Sequence, residues 1–364
     1  MQYPLDRRQF PEIILDASPA YEFLISLDEF CGAEDRLALE AGHEWIETVR
    51  AKASPDLLQA VDLLSGRVGK LWTNLLGLAY DCPPPKNVPA FISHLETMDA
   101  LTLRLCLIGY YTHSMRRIMA PDVMFRAAEG DIAAQDLFTQ VDWSRYRDCQ
   151  RVLRQLFALD VETMKTLMLD TMRRWYDEVF REHESQVMPI LLRDIEAKRA
   201  LMQTVSPERF IELAANGYEY MPEPHVREIF LIPGFLNRPY IFISEYLHVK
   251  ILCYPVADES LANDPDAPPA QLVRLYKALG DERRLRILRM LAQRSLTLQE
   301  VADEFGVAKT TIHHHCVLLR SAGLISLRTS DSRYHLRDNM VPEVSRLLET
   351  YLKRSNTQED KNRR

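Results

Sequence analysis

Apolar positions recur every three to four residues through much of the chain, and this spacing predicts a mainly helical protein. Residues 151–174 carry an apolar stripe rich in methionine, which includes Met164, Met168 and Met172. Such a stripe either packs a core or lines a ligand cavity, and core packing is its commoner use. The periodicity therefore predicts that this stripe is buried.

Two changes of pattern interrupt the helical spacing. Short runs of β-branched and aromatic residues predict two or three antiparallel strands, at 226–231, 240–245 and 248–253. Residues 254–270, YPVADESLANDPDAPPA, then combine four prolines and four acidic residues with no apolar period. That composition is typical of a linker or an exposed connection, so a second domain is expected to follow it.

The segment after this linker carries clear signals for the starts and ends of helices. Asp281 can cap the helix that follows it. Thr297 and Glu300 match a capping box, in which each side chain satisfies a free backbone N–H of the other residue. Gly306 stands where the end of a helix needs a positive φ, and a further helix is predicted from about Lys309.

The spacing of these signals is that of a helix-turn-helix. Ala302, Gly306 and Ile312 stand where the motif needs a small contact, a left-handed turn and a buried aliphatic residue. A second helix held in this way can enter the major groove of DNA. Its predicted outward face offers donors, acceptors and a small apolar surface to base edges and phosphates, from Lys309, Thr310, His313, His314 and Val317.

A two-stranded wing is predicted after this helix. Ile325 and Leu327 point inward on the first strand, residues 329–332 form the tip, and Tyr334 lies on the returning strand. Arginines near such a tip suit phosphates or the minor groove. The full set of predicted DNA-binding residues is Lys309, Thr310, Thr311, His313, His314, Val317, Arg320, Arg328, Arg333 and Tyr334.

Together these motifs resemble an ArsR-type winged helix-turn-helix. The resemblance covers residues 275–337 and rests on LYKALGDERRLRILRMLA, TLQEVADEFGVAKTTIHHH and LLRSAGLI…SRYHLR, in that order. It implies a dimeric transcription regulator, usually a repressor released by an effector, whose recognition helices enter successive major grooves of a near-palindromic operator. Ala308 departs from the family's usual capping serine, and His313 replaces a small hydroxyl residue.

The rest of the chain resembles the long helical N-terminal extension of some ArsR-type regulators. We expect a sensing or dimerising module there, for a small-molecule effector that the sequence does not identify. The expected fold class is mainly α with small β elements (α+β), in which a large helical N-terminal domain ends in a short antiparallel strand pair and a winged helix-turn-helix domain follows. The predicted divisions are a sensor/dimerisation domain at 1–254, a Pro/acidic linker at 255–270, the winged helix-turn-helix at 271–353 and a polar tail at 354–364.

The charge distribution favours a polyanion partner for the C-terminal quarter of the chain. Residues 271–364 contain 18 Lys and Arg against 11 Asp and Glu, a net charge of +7, whereas residues 1–270 carry −14. The six cysteines form no C-x-x-C pair, and neither a signal peptide nor a membrane-length apolar run is evident. We expect a cytoplasmic homodimer with reduced thiols, double-stranded DNA as its partner and no membrane contact.

Neither a metal, nor a cofactor, nor a catalytic site is expected. Adjacent helical residues point about 100° apart, so His313, His314 and His315 cannot converge on one ion. The cysteine pair of metal-sensing family members is missing from LTLQEVADEF, and residues 342–353 lack their Asp/His pair. GxSxG, P-loop, HExxH and GxGxxG motifs are also missing, which argues against an enzyme. Two alternatives stay open: an enzyme whose winged helix is a docking module, and a protein-interaction scaffold.

Overall fold

The protein is mainly helical, with two small sheets, as the pattern of the sequence predicts. The computed structural model describes residues 10–32, 40, 42–68, 70–141, 148–215, 218–261, 268, 270–328, 332–337 and 340–359. The chain forms two compact units: Met1–Ile195 with Glu223–Cys253, and Glu196–Pro222 with Tyr254–Arg364. Residues 196–222, which the sequence analysis placed in the N-terminal domain, thus lie in the second unit.

Helices account for most of the described residues. A π-helical turn, Tyr176–Phe180, joins α12 to α13, and a 3-10 turn, Asp258–Ser260, precedes α15. The helices are α1 Pro19–Gly32, α2 Gly42–Lys52, α3 Pro55–Ser65, α4 Lys70–Thr73, α5 Leu76–Asp81, α6 Val88–Thr97, α7 Ala100–Leu107, α8 His113–Arg116, α9 Pro121–Glu129, α10 Ile132–Thr139, α11 Cys149–Ala158, α12 Val161–Trp175, α13 Arg181–Met202, α14 Pro207–Ala214, α15 Ala270–Leu279, α16 Glu282–Leu291, α17 Leu298–Phe305, α18 Lys309–Ser321 and α19 Met340–Glu359.

The strands form two four-stranded sheets, with the orders β1-β3-β5-β4 and β2-β7-β8-β6. The strands are β1 Glu12–Leu15, β2 Tyr218–Glu219, β3 Glu228–Gly234, β4 Phe242–Tyr246, β5 Val249–Pro255, β6 Leu296–Thr297, β7 Ile325–Arg328 and β8 Arg333–Leu336. The first sheet belongs to the first unit and the second sheet to the second unit, apart from the last two residues of β5.

The first sheet contains one strand more than the sequence predicted. β4 and β5 form the expected antiparallel pair, with Ser244 opposite Ile251. The additional strand, β1, lies parallel to β3 and places Ile13 opposite Ile229. Because β1 is only four residues long, its pattern carries no readable period, and its partner strand lies far along the chain.

The methionine-rich stripe packs the core of the first unit. Met164, Met168 and Met172 on α12 are fully buried, as is Trp175 at the end of that helix. They belong to a hydrophobic cluster that α1 and β5 also line, through Phe23 on α1, for example. The prediction that this stripe is buried is confirmed.

The sheet of the second unit includes a strand, β2, that precedes α17 by about 80 positions. β2 pairs in parallel with β7, so that Tyr218 lies opposite Leu327. Within the predicted linker, Val256 is buried and Asp258 forms an ion pair with Arg274 of α15. Residues 262–267 and 269 of that linker lie outside the described residues.

The last helix, α19, runs to Glu359, so the first part of the predicted polar tail is helical. Residues 360–364 lie outside the described part of the chain. None of the described helices combines the length and the apolar character that crossing a bilayer requires.

Candidate nucleic-acid interface

The turn between α17 and α18 forms as its sequence predicts. Thr297 Oγ1 accepts the backbone N–H of Glu300 at 3.2 Å, and Glu300 Oε2 accepts that of Thr297 at 2.7 Å. The hydrogen bonds that the Glu300 carboxyl forms with Thr297, together with Arg333, lower the pKa of this carboxyl. Gly306 then ends α17 with a φ of 63°, a left-handed value that a glycine adopts without strain.

The start of α18 lacks a side-chain cap. Ala308 occupies the N-cap position and no side chain accepts a hydrogen bond from the first turn there. Replacing Ala308 with serine should therefore stabilise α18 by about 1 kcal/mol, whereas replacing Thr297 with alanine should cost α17 about as much. Hydrogen–deuterium exchange of residues 309–321 measures the first change, and we expect it to slow about fivefold at that free energy. Unchanged exchange in Ala308→Ser would contradict the prediction.

The N-terminal half of α18 is the exposed part of this helix. Lys309, Thr310 and His313 are exposed, and Thr311 is half-buried. On the opposite side Ile312 is fully buried, as the helix-turn-helix spacing predicts. Cys316 and Leu319 continue that buried side, and burial raises the pKa of the Cys316 thiol to about 12. The helix is thus held by one side and presents a polar side at its beginning.

The predicted outward stripe does not continue to Val317. This side chain is only 2% exposed, although it follows His313 by one helical turn. The difference arises because α18 contacts α15, α16, α17 and β7, which leave little of its C-terminal half open. The exposed polar face is therefore shorter than the sequence predicted.

The three consecutive histidines lie in three different environments. His313 is exposed, His314 is half-buried, and His315 is buried with its Nδ1 3.7 Å from Asp281 Oδ1. Burial lowers the pKa of both His314 and His315, and the positive charge of Arg284 lowers that of His314 further. These shifts favour the neutral form of both rings.

Two further residues predicted to contact DNA lie in the interior. Arg320 is 8% exposed and Tyr334 is 4% exposed. Burial lowers the pKa of the Arg320 guanidinium, while Tyr334 of β8 and Tyr218 of β2 interact with it electrostatically. An arginine on a helix is expected at the surface from sequence, whereas here the side chain of Arg320 is buried and interacts with tyrosines of β2 and β8. Arg320 and Tyr334 were predicted to contact DNA, and their burial leaves little of either side chain open for such a contact.

The wing arginines form pairs with carboxylates of the same unit. Arg333 Nη1 donates to Ser295 O at 2.9 Å and to Glu300 Oε2 at 3.0 Å, which ties β8 to the start of α17. Arg328 Nε donates to Glu219 Oε2 at 3.3 Å. Residues 329–331 of the predicted wing tip lie outside the described residues.

Glu219 contacts the wing, and the sequence analysis did not identify it. Its Oε1 accepts the hydroxyl of Ser326 at 2.5 Å, beside its contact with Arg328. Glu212 of α14 likewise lies 3.0 Å from Arg337 Nη2. No signal in the sequence links these residues to the wing, because the paired positions are more than 100 residues apart.

Comparison with known proteins identifies the family of the helix-turn-helix. A family model described as "Bacterial regulatory protein, arsR family" matches residues 281–326. An uncharacterized HTH-type transcriptional regulator of Methanocaldococcus jannaschii is 33% identical over 78 residues, which are 88% of that protein and 21% of this chain. The chain belongs to the ArsR family of bacterial regulatory proteins. This membership makes it a helix-turn-helix transcriptional regulator, as the resemblance implied.

Two further relatives match this ArsR-family chain over a similar length. An uncharacterized HTH-type transcriptional regulator of Bacillus subtilis is 42% identical over 62 residues, 16% of this chain and 61% of that protein. A protein of Synechocystis sp. named as a transcriptional repressor SmtB homolog is 30% identical over 87 residues, 23% of this chain and 66% of its own length. No solved structure matches the chain. More than three quarters of this ArsR-family chain thus lies outside each alignment.

Proposed function

We propose that this ArsR-family chain binds duplex DNA by placing the beginning of α18 in the major groove. The observation that carries the proposal is the exposed polar group of Lys309, Thr310 and His313, supported from behind by the buried Ile312. A helix that is fixed on one side and polar on the other at its N-terminus is what major-groove recognition requires.

The roles of the predicted residues follow from their exposure. Thr310, Thr311, His313 and His314 contact base edges in this proposal, because hydroxyl and imidazole groups can donate to and accept from them. Lys309 contacts a phosphate. Three further residues support α18 and the wing from inside, namely Val317, Arg320 and Tyr334.

Arg328 and Arg333 contact phosphates in this proposal after exchanging their present carboxylate partners. Arg333 holds Glu300 through both Nη atoms, at 3.0 and 3.2 Å, and Arg328 holds Glu219. A phosphate must compete with these carboxylates, which lowers the affinity for DNA of every sequence. The acidic residues therefore limit how strongly the wing binds.

Replacing Glu219 with glutamine should raise the affinity for DNA of any sequence, by up to about fivefold at low salt. An exposed ion pair contributes at most about 1 kcal/mol, and glutamine keeps an acceptor for Ser326 while removing the charge that competes with phosphate. Fluorescence anisotropy with operator and random duplexes measures the change. Glu349→Gln is the matched control, since Glu349 pairs with Lys353 on the exposed face of α19. An equal gain in both variants would point to net charge alone.

We propose that two copies of the chain bind an inverted repeat as a dimer. Tyr276 on α15 and Leu352 on α19 are 43% and 59% exposed, and these two helices contact each other. Apolar side chains left exposed on neighbouring helices support a contact surface for a second copy. A dimer that occupies an operator can exclude the transcription machinery, and the name of the Synechocystis relative supports the role of a repressor.

The first unit is proposed to sense an effector. It contains most of the chain and packs a core of its own, which is far more than dimerisation of a winged helix needs. A ligand that favours one arrangement of the dimer would change operator affinity by typically 1–3 kcal/mol. Action on chromosomal DNA would place the protein in the cytoplasm, where the six buried cysteines would stay reduced.

Selection of duplexes from a random pool by the purified full-length protein tests the proposed function. We expect an inverted repeat whose half-sites lie one helical turn apart, about 10–10.5 base pairs centre to centre. Sedimentation of the complex should give two chains per duplex. A pool that stays random after several rounds would contradict sequence-specific DNA binding, and an unrepeated site bound by one chain would contradict the dimer.

A further inference from the structure

Three potential metal ligands meet in the first unit. Glu223 and His225 lie in the segment before β3, and Glu245 lies in β4. One ligand atom from each residue lies within 4.8 Å of the other two, and all three side chains are half-buried. The fold thus brings the carboxylate of Glu245 to Glu223 and His225, which lie about twenty residues before it in the sequence.

His225 presents a ring nitrogen that is not satisfied within the described residues. Its Nε2 is buried without a hydrogen-bond partner and lies 3.9 Å from Glu223 Oε2. The ring stacks on His113 with a centroid distance of 3.9 Å and an interplanar angle of 20°, which fixes the plane of the imidazole. A buried nitrogen without a partner is costly, and a metal ion is one ligand that would satisfy it.

The two glutamates are held in place by neighbours from two elements, α8 and β5. Glu245 Oε2 accepts the backbone N–H of Ser114 at 3.0 Å, at the start of α8. Lys250 of β5 is buried, forms an ion pair with Glu223, and lies 3.5 Å from Glu245 Oε1. Burial raises the pKa of Glu245, but the Ser114 N–H and the Lys250 charge outweigh it and hold the pKa below its usual value.

The ammonium of Lys250 lies against both carboxylates, at the place that a metal ion bound to both would occupy. A divalent ion bound to both carboxylates would compensate both of them and free Lys250 to turn away. Imidazole beside carboxylate favours ions such as Zn²⁺ over Mg²⁺ and Ca²⁺, which prefer oxygen ligands alone.

We propose that Glu223, His225 and Glu245 form a binding site for one divalent transition-metal ion of the Zn²⁺ class. The ion replaces the ammonium of Lys250 between the carboxylates, takes Nε2 of His225 as its nitrogen ligand, and completes its coordination with water. His113 acts as a positioning residue for the ring of His225. The site is independent of the DNA-binding function proposed for the second unit.

Titration of the full-length, untagged protein with Zn²⁺ against a chromophoric chelator tests this site. We expect one tight equivalent per chain, and we expect His225→Ala and Glu245→Gln each to weaken it by more than about tenfold. Excess Mg²⁺ should not displace it. Co²⁺ should give a visible spectrum without thiolate charge-transfer bands. Bound Zn²⁺ should raise the melting temperature of the native chain but not that of His225→Ala, with circular dichroism confirming that both are folded.

Two matched variants separate this site from other histidines. His248→Ala removes an imidazole 3.5 Å from Glu228 in the same unit, and His314→Ala interrupts the three consecutive histidines. Both should keep the tight equivalent. Lys250→Met should bind Zn²⁺ at least as tightly as the native chain, because its ammonium no longer competes. The proposal is overturned if His225→Ala and Glu245→Gln keep native affinity, if either control loses as much, or if folded Lys250→Met binds more weakly.

Discussion

Thr310→Ala and His313→Ala should each lower the affinity for the selected operator by roughly 5- to 150-fold, while affinity for random DNA changes little. Both side chains are exposed at the beginning of α18, where a recognition helix meets base edges. A good base contact contributes about 1–3 kcal/mol of discrimination, which corresponds to that range of affinities. Fluorescence anisotropy with the operator, single-base variants of it and a random duplex measures the effect at one salt concentration, because phosphate contacts make all affinities salt-dependent.

A threonine elsewhere in the same unit supplies the control. Thr350 is exposed on α19, and its hydroxyl donates only to the backbone of Arg346, so Thr350→Ala should leave both affinities unchanged. Lys309→Ala should weaken the operator and random DNA by similar factors, since a phosphate contact carries no sequence information. If Thr310→Ala and His313→Ala also weakened both duplexes equally, their assignment to base edges would be wrong.

Ile312→Ala should destabilise the second unit by about 2–5 kcal/mol and abolish operator binding at 37 °C. Ile312 is fully buried in the hydrophobic cluster that holds α18 against α17, together with Val301 and Leu319. Truncation removes buried methylene groups and leaves a cavity. Since a folded domain is stable by only about 5–15 kcal/mol, that loss is a large share of the total. Hydrogen–deuterium exchange of residues 298–321 should accelerate accordingly.

Leu285→Ala is the control for this stability change. This substitution truncates a similar apolar side chain in the same unit. Because Leu285 is half-exposed on α16, the truncation should lower the free energy of unfolding by no more than about 0.5 kcal/mol. Operator affinity at 25 °C should stay near native in this variant. Equal destabilisation by both substitutions would mean that α18 is not anchored through Ile312.

The pairs between the wing and the segment before β3 give the second unit a feature that a bare winged helix lacks. β2 adds a strand beside β7, and Glu219 then meets both Ser326 and Arg328. Glu212 meets Arg337 from α14. The basic surface that the charge count predicted for the last quarter of the chain is therefore partly neutralised by acidic residues that lie before it in sequence.

The local signals of the helix-turn-helix could be derived from the sequence alone. The capping box of Thr297 and Glu300, the left-handed Gly306 and the uncapped start of α18 at Ala308 all occur where the sequence placed them. Each depends on residues within about four positions of one another, so the chain carries the whole interaction in a short window. The buried Ile312 followed from the same spacing, and the family from the resemblance of these motifs to ArsR-type regulators.

Only the tertiary structure decided which residues of α18 stay accessible. Val317 and Arg320 repeat at helical spacing beyond the exposed start of α18, yet neighbouring helices and strands cover them. Burial of a side chain depends on what packs over it, and Tyr218 of β2, which interacts with Arg320, lies about a hundred residues before it in the chain. The meeting of Glu223 and His225 with Glu245 is of the same kind. Contacts between distant segments leave no periodic trace in one sequence, whereas caps and turns do.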